Sequence, residues 1–192
     1  MYKLCKTEQS ARRQRELEHQ LVLQMNSKRF DEITVSDFCI QAGIPRKAFY
    51  RYFSSMEGAL YALLDHTMME YEHFREPYAA VKADNLFREL ECFFQFWKDQ
   101  RLLLDGLMLS GLSGVMLERI IQYMESVTTQ KHLRQGESEY SQRQIVRFTI
   151  SGIVIMLINW HQEGFRESPR DMAVILTRIL NTNLSDYVQE LI

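Results

Sequence analysis

Apolar residues recur at intervals of three and four along nearly the whole of this 192-residue chain, and the strict alternation that marks a half-buried strand is almost missing. The pattern predicts helices over 8–27, 34–41, 45–52, 55–75, 83–99, 101–109, 114–133, 138–163 and 169–181, with a short one over 183–190. Loops are expected around Pro77, in the SGLSG segment at 110–114, at Gln135-Gly136 and from Gly164 to Pro169. Pro45, Pro77 and Pro169 are the only prolines, and each falls at an expected helix start or break. The fold class is therefore all-α. A three-helix unit over 1–55 leads into a larger helical body over 56–192, and the helix at 55–75 is the expected mechanical link.

Within 30–53, FDEITVSDFCIQAGIPRKAFYRYF, two short helices meet at a glycine turn and end in a basic aromatic strip. That is the layout of a helix-turn-helix that reads double-stranded DNA. Thr34 precedes the apolar positions Val35, Phe38 and Ala42, with Asp37 three residues on, a capping-box-like start. Gly43 supplies the positive-φ turn. Ile44-Pro45 opens the second helix, where the N–H that proline lacks would have no partner. Phe49 and Phe53, four apart, face inward and leave Arg46, Lys47, Tyr50 and Arg51 outward. Arg46 and Lys47 fall in the first turn, the part of a recognition helix that enters the major groove, and either can donate to guanine O6 and N7. Tyr50, Arg51 and Tyr52 come later, where hydroxyl and guanidinium donors meet phosphate oxygens and fix register without reading sequence.

These residues also carry a family resemblance. Phe30, Thr34-Val35, Ala42-Gly43 and Tyr50 to Phe53 resemble the N-terminal domain of the TetR/AcrR transcriptional regulators, while the rest of the chain is similar to that family only in length and helical character. The resemblance implies that Thr34 and Tyr50 meet phosphate, that Arg46 and Lys47 meet bases, and that Ser36 and Tyr52 are further contacts. It also implies a cytoplasmic repressor whose body binds a small-molecule effector that releases the DNA. Three departures weaken the backbone contacts. Pro45 stands where the family usually has a Ser or Thr cap, Ala48 replaces a frequent threonine, and Met56 replaces a lysine. Trp160, Gly164 and Glu167-Ser168-Pro169 resemble the C-terminal segment of Firmicutes-type members, some of which act with protein partners.

Charge changes the picture in one respect. Residues 1–55 hold 10 Lys/Arg against 6 Asp/Glu and residues 56–192 hold 13 against 19, so a basic head sits on an acidic body although the whole chain is only −2. The field is concentrated where the reading helix lies. Lys3, Lys6, Arg12, Arg13 and Arg15 make the N-terminal arm either a second backbone contact or an ordinary solvated terminus. Cys5, Cys39 and Cys92 are odd in number and scattered, which argues for a reducing cytoplasm and against a disulfide framework or zinc site, and Cys39 belongs to the core. Residues 1–20 are charged throughout, unlike a signal peptide, and the most apolar run, Ile150 to Trp160, is too short to span a bilayer, so no membrane partner is expected.

In the body, Ile145, Phe148, Gly152, Ile155 and Asn159 recur at helical spacing, and Ser151-Gly152 allows close backbone approach. With Val174, Leu176, Ile179 and Leu180 this face is expected to form half of a four-helix homodimer interface, the symmetry that two half-sites require, the alternative being intrachain core. Phe93, Trp97, Met108, Tyr123, Met124, Met156 and Trp160 supply aromatic and thioether bulk suited to an adaptable effector cavity, and equally to plain core. His66, Glu70 and His73 share a helix face, but nothing near them in sequence would orient a metal ligand set, and neither metal nor cofactor is expected. No nucleophile elbow, phosphate loop or H-E-x-x-H motif points to an enzyme. Three readings follow in order: an effector-released dimeric repressor, a DNA-binding co-regulator controlled by a protein partner, and an enzyme or scaffold that does not bind DNA.

Overall fold

The computed structural model describes residues 2–3, 5, 7–79, 86–129 and 138–182. Among them the regular elements are helices α1 (Glu8–Met25), α2 (Val35–Gln41), α3 (Arg46–Tyr52), α4 (Met56–Ala79), α5 (Leu86–Asp99), α6 (Arg101–Leu109), α7 (Ser113–Thr129), α8 (Glu139–Gln162) and α9 (Pro169–Asn181). A 3₁₀ turn over Phe30–Glu32 precedes α2, and one isolated antiparallel bridge joins Tyr2 to Phe53. The expected helix over 183–190 and the loop at Gln135-Gly136 lie outside the described residues.

Local chemistry accounts for the helix ends. Thr7 caps α1 by accepting from the Ser10 N–H, and Thr34 caps α2 by accepting from the Asp37 N–H at 3.1 Å. Ser168 and Asp171 form a reciprocal capping box at α9, with Pro169 in its first turn. Two proline assignments change. Pro45 is the N-cap of α3, in extended geometry at φ −70°, ψ 148°, so the helix starts one residue later than expected. Pro77 lies inside the last turn of α4 instead of in a loop. So close to the helix end its missing N–H costs only one backbone bond, and the helix runs on to Ala79.

The chain divides into two compact units, one of Met1–Glu70 with Arg101–Ser151 and the other of Tyr71–Gln100 with Gly152–Ile192. The first unit extends past residue 55 because α6 is packed on α1. Gly106 allows this, since a Cβ there would lie 2.8 Å from Met25 Cβ. Asn26 Nδ2 donates to the Leu102 carbonyl at 2.8 Å and the Phe30 N–H donates to Ser110 Oγ at 2.9 Å, so both ends of α6 are tied down. Leu17, Leu21, Met25, Phe38, Phe49, Phe53, Leu60, Leu104, Leu107 and Met116 fill the core of this unit.

A polar centre runs beside that core. Glu18 is buried, and both its carboxylate oxygens lie within 2.9 Å of His66 Nδ1, with Arg15 3.7 Å away. The Tyr2 hydroxyl donates to Asp65 at 2.9 Å, and Asp65 also accepts from Arg119 of α7. Burial, helped by the Asp65 carboxylate, pushes the Tyr2 phenol up to about 12. His66 and Glu70 are thus spent on Glu18 and Arg15, and His73 faces Glu76 at 3.4 Å. Among the described residues no cluster of His, Cys, Asp and Glu is suited to a metal.

In the second unit α5 packs along α9, and Phe94, Phe96, Trp97, Val154, Leu157, Trp160, Met172, Ala173 and Leu176 are buried. The turn from α8 to α9 uses two left-handed residues, Gly164 at φ 78° and Phe165 at φ 59°. For phenylalanine that conformation costs about 1–2 kcal/mol. It is offset by burial of the ring against Trp160, centroids 4.6 Å apart, while Trp160 Nε1 donates to the Glu167 carbonyl. The 24-residue α8 holds an 18-residue window of mean hydropathy 1.2, long and apolar enough by composition to cross a bilayer, which the 150–160 window alone understates. Of that window 22% is buried, through Val154, Leu157, Ile158 and Trp160.

Candidate nucleic-acid interface

Helix α3 stands on a wedge of three phenylalanines. Phe49 meets Phe38 of α2 at 5.5 Å and Phe53 at 5.3 Å, both as non-stacked pairs, and all three rings are buried. Gly43, at φ 63°, makes the turn that brings α2 and α3 together. This packing fixes which residues face out. Thr34, Ser36, Arg46, Lys47, Tyr50 and Arg51 are exposed. Tyr52 is not, at 6% exposure, because it lies three residues after Phe49 on the inward face.

The exposed set has the electrostatics of an anion-binding surface. Arg46 reaches the Tyr50 hydroxyl at 3.5 Å across one helical turn, a contact that raises the guanidinium further above its ordinary value. Lys47 and Arg51 have no carboxylate within ion-pair distance among the described residues. On α2, the Thr34 hydroxyl and the Lys28 ammonium, 3.5 Å away, hold the Asp37 carboxyl below its usual range.

The arm is docked. Beyond the Tyr2 to Phe53 bridge, the Lys3 N–H donates to the Tyr52 carbonyl at 2.9 Å, and Lys3 Nζ donates to the Tyr50 carbonyl at 3.3 Å. A cation is thereby placed at the end of α3. Two or three residues of extended chain carry no periodicity, so sequence alone left the choice between docked arm and frayed terminus open. Lys6 lies outside the described residues.

A family model described as a transcriptional regulator C-terminal region, of the TetR type, matches residues 84–182, just over half of the chain. The chain belongs to the TetR family of transcriptional regulators. Solved structures agree on the fold. The fatty acid degradation regulator FadR from Bacillus halodurans is similar at TM-score 0.60 and 14% identity, over 94% of this chain and 98% of that one. The TetR family repressor AlkX from Dietzia sp. strain DQ12-45-1b, implicated in biodegradation of n-alkanes, gives TM-score 0.54 at 17% identity, over 92% and 95%. FadR from Bacillus subtilis, solved with stearoyl-CoA, gives 0.54 at 16%, over 86% and 96%. No curated protein matches the chain by sequence. This TetR-family chain is thus an all-α transcription regulator with an N-terminal helix-turn-helix, and its relatives are regulators and not enzymes.

The residues expected for regulation fall in both units. Phe93, Trp97, Met156 and Trp160 are in the second unit, and Met108, Tyr123 and Met124 are in the first. In the second unit the aromatic rings form a connected chain, Tyr71 to Phe93 at 5.9 Å, Phe93 to Phe94 at 5.4 Å and Phe94 to Trp160 at 5.4 Å. Tyr71 was not anticipated, since it lies on α4, outside the aromatic run of α5 that holds Phe93 and Phe94. Burial pushes the Tyr71 phenol far up and the Cys92 thiol up to about 11. The Trp97 indole N–H is buried without an acceptor among the described residues. On α8, Ile145, Phe148, Gly152 and Ile155 are all exposed, Phe148 at 71%, and on α9 Val174 and Ile179 are exposed while Leu176 is core.

Proposed function

We propose that the chain is a homodimeric repressor that reads operator DNA through residues 1–55 and is released when a small apolar effector binds the body, 56–192. In this reading Arg46 and Lys47 contact bases, while Thr34, Ser36, Tyr50 and Arg51 contact phosphates. Tyr52, being buried, acts by supporting the reading helix. The observation that carries the reading is the exposed first turn of α3, with Arg46 and Lys47 on a face held rigid by Phe38, Phe49 and Phe53. The dimer reading is supported by the exposure of Ile145, Phe148, Gly152 and Ile155 on α8 and of Ile179 on α9. The effector reading is supported by the unpaired Trp97 donor, a buried group that costs about 1–3 kcal/mol unless something supplies an acceptor. The fold shared with a stearoyl-CoA complex makes a long-chain acyl compound the first effector to try.

Selection of bound duplexes from a random DNA pool tests the reading. Lys47→Ala should then cost about 1–3 kcal/mol per half-site and relax preference at particular bases, whereas Tyr50→Phe should weaken all sequences alike. Uniform rescaling by both variants would overturn the base-reading assignment. A second reading, control by a protein partner, is favoured by the same exposed residues, with Phe148 and Tyr140 both more than two-thirds exposed. Dimerisation that leaves Phe148 accessible would favour it.

A further inference from the structure

We propose that the groove between the first turns of α1 and the end of α3 is a second phosphodiester site, which holds the DNA backbone beside the half-site that α3 reads. The inference rests on the DNA-reading role proposed above and extends it to residues outside the helix-turn-helix. The groove has a volume of about 480 Å³ and is lined by Ser10, Arg12, Arg13, Glu16, Arg51 and Tyr52, among others. Three guanidinium groups face one carboxylate there. Arg13 is 2.7 Å and Arg12 3.5 Å from Glu16, so a single acid is shared between two cations. The Arg13 guanidinium, followed by Arg12, holds the Glu16 carboxyl below its usual range. Arg51 has no acid within reach among the described residues, which leaves an excess of two positive charges in a concave surface.

The shape of that excess selects the ligand. Arg51 belongs both to the groove and to the exposed side of α3, so an anion that fills the groove is continuous with one that lies along the reading helix. A polyanion with regularly spaced charges meets that condition and an isolated small anion does not. The site is also held in place: the Tyr2 to Phe53 bridge and the Lys3 N–H to Tyr52 carbonyl bond fix the arm on the end of α3, and Lys3 Nζ on the Tyr50 carbonyl adds a further cation at that end. Arg12 and Arg13 are exposed, so replacing them should leave the fold intact.

The test uses the full chain with two labelled duplexes, one recovered by the selection above and one of scrambled sequence, titrated between about 50 and about 200 mM salt. Arg12→Gln with Arg13→Gln should weaken both duplexes equally, with a loss about tenfold larger at the lower salt than at the upper for each bound protomer, and should reduce the log–log salt slope by about 2 per protomer. Glu16→Gln should tighten both, because it removes the acid that competes with phosphate; a merely structural role for the cluster gives no such gain. With neutral methylphosphonate linkages flanking the half-site, wild type and double variant should bind alike. An unchanged salt slope in the double variant, while wild type binds the recovered duplex, would overturn the site and leave the reading helix standing. So would an effect confined to the recovered duplex, or one indifferent to the methylphosphonates. A wild type that binds neither duplex would overturn the DNA-reading role itself.

Discussion

Gly106→Ala puts the seam between α6 and α1 under a defined strain. The new Cβ would lie 2.8 Å from Met25 Cβ and 3.4 Å from the Met25 carbonyl carbon, whereas carbon atoms rest at about 3.5–4.0 Å. Met25 Cβ is attached directly to the backbone of α1, so relief requires the helices to separate and not a rotamer to turn. Overpacking of this kind costs about 1–3 kcal/mol. Against it, alanine in mid-helix gains about 1 kcal/mol over glycine. The net expectation is a loss of about 0–2 kcal/mol by urea denaturation, and Gly106→Val, which adds bulk without the same propensity gain, should lose roughly 3 kcal/mol. Asn26→Ala removes the bond to the Leu102 carbonyl in the same seam, so its cost should combine non-additively with that of Gly106→Ala, by about 0.5 kcal/mol or more. A Gly106→Ala protein clearly more stable than wild type, or strict additivity with Asn26→Ala, would refute the close-packed seam.

Three further outcomes are expected. Gly152 has nothing within 4 Å of an added Cβ, so Gly152→Arg should keep the wild-type helical content yet sediment as a monomer and melt without the concentration dependence of a dimer; an unchanged mass would remove α8 from the dimer face. Alkylation of the native protein near neutral pH, followed by mass spectrometry, should modify the half-exposed Cys5 well before the buried Cys92, whose thiol is pushed up to about 11; equal rates would contradict the burial described. The Asp171 carboxyl is depressed by its bond from Ser168, so its contribution to α9 is full at neutral pH and is lost as pH falls through the depressed value. Ser168→Ala should blunt that part of the acid sensitivity of melting, and an identical pH profile would show that the box contributes nothing.

Helix positions were legible because helical periodicity and local chemistry agreed: Thr34, Gly43 and Pro169 each mark an end that the structure keeps. Pro77 misled because proline is read as a break, while in a last turn it removes only one bond. The inward turn of Tyr52 was available from its spacing to Phe49, but an aromatic hydroxyl in a basic strip reads more readily as a contact. The α1 to α6 seam and the Tyr2 to Phe53 bridge join residues far apart in sequence, and no local pattern encodes such pairings. Gly106 inside an apolar helix was the one hint. For the groove, the arginines of the arm were visible in sequence and their convergence with Arg51 was not.

Trp97 and Trp160 are the chain's only tryptophans, and both are sealed inside the second unit. Selective tryptophan excitation therefore lights the second unit and leaves the first, which carries α3, dark. Emission should be blue-shifted in the native protein and should respond to anything that enters or loosens the packing of α5 on α9. The reading helix, with Tyr50 and Tyr52 but no indole, would melt or engage a duplex without a direct optical trace. A fluorescence titration on the unaltered protein thus reports on the second unit and not directly on α3, with no label attached.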